Sequence, residues 1–289
     1  MQITTRAYQP EDFAACARIE AGAVRANHYF ADVVDYYRST AGELTVACVD
    51  GVPVGMGKLT VLFDGSAWLE LLRVHPDFQR KGVGRAIYQR YFEEIRALGC
   101  PAARMYTGVS NKASAGLAEQ FGLKRRAQFH SMRIPTENLS CRTDTKPLPR
   151  IGAEQALAFL PQLNKQTGGF LCINHTFYHL SETTLRGFAA MGWLWGDEDT
   201  LLIAGARFQP QKALYLTMAA SGENQKEKLS RALHHAAALA ALSGAEQLVI
   251  HFDPNDSKIH DFCLENGFVD DPVDDIVMEW AEESAHTNR

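Results

Sequence analysis

The chain has 289 residues, of which 46% are hydrophobic and 22% are charged, a balance typical of a globular protein. Its net charge of −5 offers no basic surface, so nucleic-acid binding is not expected. The sequence has no apolar run of about 18 residues that could cross a membrane, and its first residues lack a signal-peptide pattern. The six cysteines include no C-x-x-C pair, so neither a zinc ribbon nor a redox pair is indicated. Scattered cysteines without a signal-peptide pattern favour reduced thiols in a cytoplasm.

The first half of the chain alternates strand and helix patterns. The turn Asp50-Gly51 joins two of the strands as a hairpin, and a later strand is apolar on both faces apart from Glu70 and Arg73. That composition is typical of a central strand that is buried on both sides. The predicted strands are 3–8, 44–49, 54–62, 68–74 and 103–107. Three helices are predicted. The first begins at Asp12, the second contains Val83, Ile87, Tyr91 and Leu98 and ends at Gly99, and the third spans 111–121.

A polar stretch that contains prolines, residues 139–150, is predicted to be a linker. It separates a first domain, residues 1–138, from a second domain, residues 151–289. The second half then repeats the order of strand and helix patterns. Its predicted helices are 153–163, one that ends at Gly244, and 258–265, and its predicted strands are 201–208, 213–218 and 247–252.

The two halves end in similar patterns. A helix runs from Asn111 to Gly122 in the first half and from Asp256 to Gly267 in the second. The offset is 145 residues at both ends (256 − 111 and 267 − 122). We interpret this spacing as a tandem duplication of one α/β unit; the alternative is a chance similarity of two strand–helix ends.

Residues 72–87 hold the pattern that points most directly to a ligand. A buried strand is followed by Pro76 and then by Gly82 and Gly84 at the start of an amphipathic helix. A helix start presents unpaired backbone N–H groups and a positive dipole end, and glycines allow a ligand to approach the backbone closely. Such a start can bind a pyrophosphate. Neither the P-loop nor the G-x-G-x-x-G nucleotide motif is present in the sequence.

The run Gln79-Arg80-Lys81-Gly82-Val83-Gly84 resembles the Q/R-x-x-G-x-G/A signature of the GCN5-related N-acetyltransferases, the GNAT superfamily. Val74-His75-Pro76 before it extends the resemblance. Asn111 and Phe121-Gly122-Leu123 resemble the second motif of that family, N-x-x-A…G-F.

The resemblance implies an α/β (α+β) fold of two tandem GNAT-like units, each a mixed, mostly antiparallel sheet with helices on both faces. It implies acetyl-CoA as co-substrate, no metal, and a monomer or a homodimer. The strands 68–74 and 103–107 would splay apart around the pantetheine arm. The residues implied to bind acetyl-CoA are Leu72, Val74, Gln79, Arg80, Lys81, Gly82, Val83, Gly84, Arg85, Asn111 and Ser114.

The implied reaction is direct attack of an amine on the thioester, which needs a base and a donor for the oxyanion. Backbone amides near 72–74 are the candidate donors. Glu70 is the candidate base, and strand alternation is expected to place it on one face with Trp68, Leu72 and Val74. The alternative is that Glu70 pairs with a neighbouring arginine.

The family often has a tyrosine seven residues after the motif asparagine, and this tyrosine protonates the leaving thiolate. That position is Ala118 in this sequence. Tyr106 is the candidate acid in its place, although it could instead be a packed strand aromatic. Ser110, Ser114 or water are the other candidates.

The second half departs from the motif. It lacks the glycine pair at the matching helix start, where Glu223 and Glu227 would repel a pyrophosphate. Tyr215 occupies the position that corresponds to Glu70, and Cys263 the one that corresponds to Ala118. We therefore predict a degenerate copy without a cofactor site, which supplies structure and part of the acceptor pocket.

The acceptor is predicted to be a small-molecule amine. Residues 27–30, Asn27-His28-Tyr29-Phe30, could line its pocket, or their aromatic rings could pack helices together. Two alternatives stay open: an acyl-CoA-binding sensor or regulatory module with little catalysis, and a protein or peptide N-acetyltransferase.

Overall fold

The computed structural model describes residues 1–24, 28–139 and 146–282. Asn27 and half of the predicted linker, residues 140–145, lie outside these residues. A search of the described ranges for a helix of sufficient length and apolarity to cross a membrane finds none.

The first elements of the chain follow the predicted order. They are β1 (Ile3–Ala7), α1 (Phe13–Ala23), α2 (Phe30–Ser39), β2 (Leu44–Val49), β3 (Val52–Val61), β4 (Ala67–Val74), α3 (Val83–Leu98), β5 (Ala102–Gly108) and α4 (Lys112–Gln120).

The remaining elements are more numerous than predicted. They are β6 (Lys124–Pro135), α5 (Ala153–Leu157), α6 (Leu160–Thr167), β7 (Phe170–Ile173), β8 (Thr176–His179), α7 (Glu182–Ala190), β9 (Leu194–Gly196), β10 (Thr200–Gly205), β11 (Ala213–Ala220), α8 (Gln225–Ser243), β12 (Gln247–Phe252), α9 (Ser257–Glu265), β13 (Val269–Asp270) and β14 (Asp275–Ala281).

The chain divides into two compact units that interleave in sequence. Unit 1 comprises Met1–Met105, Asn111–Arg125 and the C-terminal segment from Met278, whereas unit 2 comprises Tyr106–Ser110 and Arg126–Val277. The predicted domain limits, 1–138 and 151–289, follow the sequence repeat and stay a prediction. Part of the predicted linker packs in unit 2, because Leu148 is buried in the core of that unit.

Unit 1 contains a mixed sheet in the order β1-β2-β3-β4-β5. The first four strands pair antiparallel, and β4 pairs parallel with β5. The parallel neighbours are joined through α3, as a crossover connection requires. The predicted mixed, mostly antiparallel sheet is confirmed.

Helix α3 lies unusually close to β3. A methyl group added to Gly55 would be 2.8 Å from Val83 Cγ1, and one added to Gly57 would overlap the hydroxyl of Tyr91. Two glycines on one face of a strand therefore create the space for the helix. Tyr91 and Ile87 are buried in this contact, as the helical spacing predicts, whereas Leu98 in the last turn is exposed.

Unit 2 also contains a mostly antiparallel sheet, in the order β6-β12-β11-β10-β9. A parallel ladder joins β11 to β12, which are connected through α8. The strands β7 and β8 form a separate hairpin. Apolar side chains of β11, β12, α8 and α9 fill the core of this unit.

The helix ends at the 145-residue offset have the same local structure. Asn111 caps α4 at φ −82° and ψ 74°, and Asp256 caps α9 at φ −83° and ψ 77°. Each side chain accepts a hydrogen bond from the backbone three residues on, as N-caps do. The glycines that follow the two helices, Gly122 and Gly267, have φ of 83° and 84°.

The predicted helix 153–163 is wrong in detail, because two helices occupy this region. Helix α5 ends at Leu157, and α6 begins at Leu160 with Pro161 in its first turn. Proline has no N–H to continue a preceding helix but fits a first turn.

The contact between α3 and β3 generates a stability prediction. We expect Gly57→Ala to lower the free energy of unfolding by about 1–3 kcal/mol, because the new methyl group overpacks the contact with Tyr91. Gly116→Ala is the control, since its methyl group would enter open space within α4 and should stabilise that helix by about 0.5–1 kcal/mol. Urea denaturation measures both; a Gly57→Ala protein as stable as the wild type would contradict this account.

Candidate active site

The strand β4 carries a β-bulge next to Glu70. Met56 pairs with Arg73 and Lys58 with Glu70, so Gly57 alone opposes two residues of β4. Leu71, one of these two, has a φ of 59°, which is rare for a residue with a branched side chain. Bulges re-aim backbone and side chains and are common near active sites.

The bulge changes which side chains share a face of β4. Directly opposed residues point to the same side of a sheet, so Glu70 lies on one face with Lys58, Arg73 and Trp68. The expectation that Glu70 shares its face with Leu72 and Val74 is therefore wrong, because the extra residue shifts the alternation. Helix α3 covers the opposite face, at Gly55 and Gly57.

Hydroxyl groups bind both oxygens of the Glu70 carboxylate. Thr60 Oγ1 donates to Oε1 at 2.7 Å, and the Tyr37 hydroxyl donates to Oε2 at 3.1 Å. The backbone carbonyl of Glu70 accepts a hydrogen bond from the Tyr91 hydroxyl at 3.1 Å. These contacts fix the orientation of a half-buried carboxylate. Arg104, one alternative partner of Glu70, binds Asp64 and Glu279 at 2.8 and 2.6 Å.

Tyr29 belongs to the same neighbourhood. Burial raises the pKa of Tyr29, the charge of Arg73 lowers it, and the nearby Glu70 raises it. The Tyr29 hydroxyl is hydrogen-bonded with Tyr37. Phe30, by contrast, is fully buried against Tyr8 and begins α2.

Further hydrogen bonds of residues 28–30 involve backbone groups. The amide of Phe30 donates to the buried carboxylate of Glu20 at 3.0 Å. His28 Nε2 donates to the carbonyl of Val24 at 2.9 Å. Of the described residues of the predicted pocket segment, Tyr29 lies near Glu70 and Phe30 packs in the core.

Residues 79–85, which we call the phosphate cradle, follow the turn after β4. Arg80 and Gly82 have φ of 59° and 92°, and Gly82 is the N-cap of α3 with no side chain to cap it. The first backbone bond within the helix runs from Ala86 N to Gly82 O at 3.0 Å. Helix geometry leaves the preceding N–H groups, including those of Val83 and Gly84, without intrahelical acceptors.

Positive side chains surround the phosphate cradle. Arg80 and Lys81 are exposed, and the Lys81 ammonium lies 5.5 Å from the centre of the Phe78 ring. Arg85 donates to Gln120 Oε1 at 2.5 Å. These charges add to the positive end of the α3 dipole, so the cradle attracts an anion. Gln79 Nε2 donates to Val74 O at 3.1 Å and ties the cradle to the end of β4.

Helix α4 packs beside the start of α3. A methyl group on Gly84 would be 3.2 Å from Leu117 Cδ2, so little space separates the two helices. Asn111 Oδ1 accepts from the amide of Ser114 at 3.2 Å, which orients both predicted cofactor residues at the N-terminus of α4. Ala118, at the usual tyrosine position, is fully buried.

The ladder between β4 and β5 is short. Among the described residues it contains the pairs Ala67↔Ala103 and Trp68↔Arg104, both at the start of β4. The rest of β4, with Leu72 and Val74, lies beyond this ladder. The observation agrees with the expected splay, and the binding roles of Leu72 and Val74 stay predictions.

Tyr106 belongs to unit 2. Its ring stacks on His175 at 5.2 Å and lies 5.9 Å from Phe177. The structure thus gives Tyr106 aromatic partners, and its predicted role as an acid stays a prediction. The structure places Glu70 and the whole phosphate cradle together in unit 1.

The start of α8 in unit 2 differs from the cradle. Its N-cap is Asn224, and Glu227 lies in its first turn. Lys228 donates to Ser221 O at 2.7 Å and pairs with Asp199 at 3.1 Å. This helix start carries both an acidic side chain and internal partners for its lysine.

Sequence reasoning missed several residues that shape the site. Gly55 and Gly57, spaced two apart within a strand, were a usable signal, since strand glycines often mark close approach. Thr60 and Tyr37 gave no local signal, because their contact with Glu70 depends on tertiary structure.

The backbone of the phosphate cradle generates a second prediction. We expect Gly82→Val to destabilise the protein by about 1–2 kcal/mol, because a left-handed conformation crowds a side chain against the backbone. Gly82→Asn should be clearly milder, since asparagine tolerates this conformation. The added Cβ meets no atom closer than 3.5 Å in either variant, so space for this atom does not distinguish them, and urea denaturation measures the difference. Equal losses in both variants would contradict this.

Comparisons with known proteins agree with this geometry. Residues 9–123 match the model of the acetyltransferase (GNAT) family. No curated protein matches the sequence significantly. The crystal structure of a GCN5-related N-acetyltransferase from Sphaerobacter thermophilus is similar over 96% of this chain and 95% of its own, with a TM-score of 0.63 and 14% identity.

Two further solved structures share the fold. A GCN5-related N-acetyltransferase from Kribbella flavida matches 97% of this chain and 71% of its own, with a TM-score of 0.53 and 14% identity. A glucosamine N-acetyltransferase region of a fungal multi-domain GH3 β-N-acetylglucosaminidase matches 96% of this chain and 38% of its own, with a TM-score of 0.63 and 12% identity. The fold likeness therefore extends over nearly the whole chain, and the match to the acetyltransferase (GNAT) family covers residues 9–123.

Proposed function

We propose that the protein is an acetyl-CoA-dependent N-acetyltransferase in which unit 1 binds acetyl-CoA and Glu70 is the general base. One observation carries the proposal: a single strand, β4, contains an oriented carboxylate, then a bulge, and leads into the phosphate cradle. This order supports the proposal that an anionic cofactor and a base act along one continuous segment.

The phosphate cradle would hold the pyrophosphate. The N–H groups at the start of α3 point along the positive end of the helix dipole, and Arg80 and Lys81 neutralise the phosphate charge. The pantetheine arm would extend along β4 beyond Trp68, where the ladder with β5 has ended. Asn111 and Ser114 are proposed to contact this arm.

The acceptor amine would approach the face of β4 that carries Glu70. The carboxylate takes a proton from the attacking nitrogen, which then adds to the thioester carbonyl carbon. A backbone N–H near the bulge donates to the resulting oxyanion. The C–S bond breaks, and the amide product and the thiolate form.

The leaving group needs little help. A thiol with a pKa of about 8.5 departs readily as its anion, so water can supply the proton. Ala118 has no hydroxyl to do so. Tyr106 remains the candidate if a protein acid takes part.

The acceptor is proposed to be a small-molecule amine. The tyrosines Tyr29 and Tyr37 lie beside Glu70, and aromatic rings beside a carboxylate suit a small cation. The glucosamine N-acetyltransferase region among the structural relatives acts on such an amine by its description.

Unit 2 is proposed to be a degenerate copy of unit 1. The matching caps at Asn111 and Asp256, and the matching glycines that follow, support a duplication. The acidic start of α8 supports the loss of a cofactor site.

A second candidate function is an acyl-CoA-binding module with little catalysis. The buried Ala118, in place of the usual tyrosine, is the observation that favours it. Tight binding of acetyl-CoA without thiol release in the presence of any amine would select this function over the first.

The test of the proposed function is turnover by Glu70→Gln. We expect kcat to fall by about 10²–10⁴-fold, because the amide cannot accept the proton, with little change in the Kd for acetyl-CoA. Thiol release from acetyl-CoA with a panel of small amines measures kcat. Glu93→Gln, which changes an exposed carboxylate of α3, is the matched control and should keep wild-type turnover. Near-normal kcat for Glu70→Gln across the pH range would contradict the role of Glu70.

A further inference from the structure

Two histidines and an aspartate converge inside unit 2. His175 Nδ1 lies 3.5 Å from Asp275 Oδ2, and His251 Nε2 lies 3.8 Å from the same oxygen. One nitrogen or oxygen atom from each of the three side chains lies within 4.8 Å of the other two. The residues come from the β7–β8 hairpin, from β12 and from the start of β14.

Three of the four imidazole nitrogens of this cluster lack hydrogen-bond partners among the described residues. His251 is 3% exposed, and neither of its ring nitrogens is hydrogen-bonded. The buried Nδ1 of His175 has no such partner either. Buried polar atoms are nearly always paired, so an unpaired group indicates a bound water or ion.

The hairpin holds His175 in a left-handed backbone conformation. Asn174 and His175 form the two-residue turn between β7 and β8, and both have φ of 50°. Such turns usually contain glycine. The Asn174 side chain accepts from the amide of Arg207 at 2.7 Å and donates to Phe208 O at 3.3 Å, which anchors the tip.

Aromatic rings surround the cluster. Tyr106 stacks on His175, and Tyr215 stacks on His251 with ring centres 6.0 Å apart. Phe177 packs edge-on against His251 at 5.7 Å. These contacts fix the planes of both imidazole rings.

The imidazole of His251 is suited to coordinate a cation. An imidazole nitrogen binds a metal ion through its lone pair, and both ring nitrogens of this buried side chain lack a hydrogen-bond partner among the described residues.

We propose that His175, His251 and Asp275 bind one divalent transition-metal ion, with Zn²⁺ as the reference ion. Two imidazoles and one carboxylate are a common donor set for Zn²⁺ and Fe²⁺, and imidazole disfavours Mg²⁺ and Ca²⁺. Metal–ligand distances of about 2.0–2.1 Å in a tetrahedral site place ligand atoms about 3.4 Å apart. The two observed histidine-to-aspartate distances, 3.5 and 3.8 Å, need only a small contraction, and the two histidine nitrogens lie within 4.8 Å of each other.

The proposed ion would join three separate parts of unit 2. It would link the hairpin tip to β12 and to the start of β14, which increases the stability of the unit. Three protein ligands leave one position for water or for an anionic ligand. The proposal concerns unit 2 alone and does not depend on acetyl transfer.

A second histidine–aspartate cluster serves as the matched control. His130 Nε2 and His260 Nε2 contact Asp270 Oδ1 at 2.8 and 3.0 Å, and His130 Nδ1 contacts Asp274 at 2.8 Å. These nitrogens already have partners, and Asp270 is largely exposed. This cluster therefore lacks the unpaired nitrogens that indicate a metal.

The test compares His251→Leu with His260→Leu in the full chain. After metal removal and reloading with Zn²⁺, we expect one bound ion per chain in the wild type and in His260→Leu, and none in His251→Leu. Elemental analysis counts the ion, and the visible spectrum of bound Co²⁺ reports its ligands. Asp275→Asn, which keeps the shape of the side chain, should also lose the ion.

Thermal unfolding, measured without metal and with Zn²⁺, distinguishes a lost metal site from a folding defect in the variant. Without metal, His251→Leu should be at least as stable as the wild type, because leucine buries no unpaired nitrogen. Zn²⁺ should raise the Tm of the wild type and of His260→Leu only. The proposal is overturned by a wild type that binds neither Zn²⁺, Co²⁺ nor Fe²⁺. It is also overturned if His251→Leu keeps the ion.

Discussion

The candidate site of unit 1 depends on the close approach of α3 to β3. Gly55 and Gly57 have no side chains, so Val83, Ile87 and Tyr91 can pack directly on the strand. This contact fixes the position of the helix start relative to β4. Tyr91 extends the same contact to the site, because its hydroxyl binds the carbonyl of Glu70 beside the bulge. The sheet, Glu70 and the start of α3 are thereby connected through one set of contacts.

Two residues near this arrangement have strained backbone conformations. Leu71 and Arg80 have positive φ although neither is glycine, and both flank the end of β4. Such conformations persist when the surrounding packing determines them, and they are frequent at ligand sites. The bulge at Leu71 turns backbone groups out of the β3 ladder, and the turn at Arg80 directs the chain into α3. In unit 2 the positive φ of His175 occurs at the histidine–aspartate cluster, which makes that region the natural place for the metal proposal.

Elements with strong local signals were predictable from the sequence. The strand 247–252 and the stop of α3 at Gly99 appear as expected, because β-branched runs and C-terminal glycines act locally. The four-residue strand β7 was missed, since so short an apolar run has no distinct period. The face of Glu70 was only partly predictable, because the residues of β4 itself gave no local signal of the bulge. The interleaving of the units and the His175–His251–Asp275 cluster both arise from contacts between residues far apart in the chain.

The central claim is that acetyl-CoA binds once per chain, at the start of α3. Calorimetric titration of the full-length protein with acetyl-CoA tests it directly, with Gly84→Glu and Gly84→Gln as a pair. These side chains have the same shape, so they disturb the contact with Leu117 equally and differ in charge. The account predicts one site in the wild type, retained binding in Gly84→Gln, and strongly weakened binding in Gly84→Glu, because a carboxylate repels the pyrophosphate. Two sites per chain, or equal binding by both variants, would contradict it.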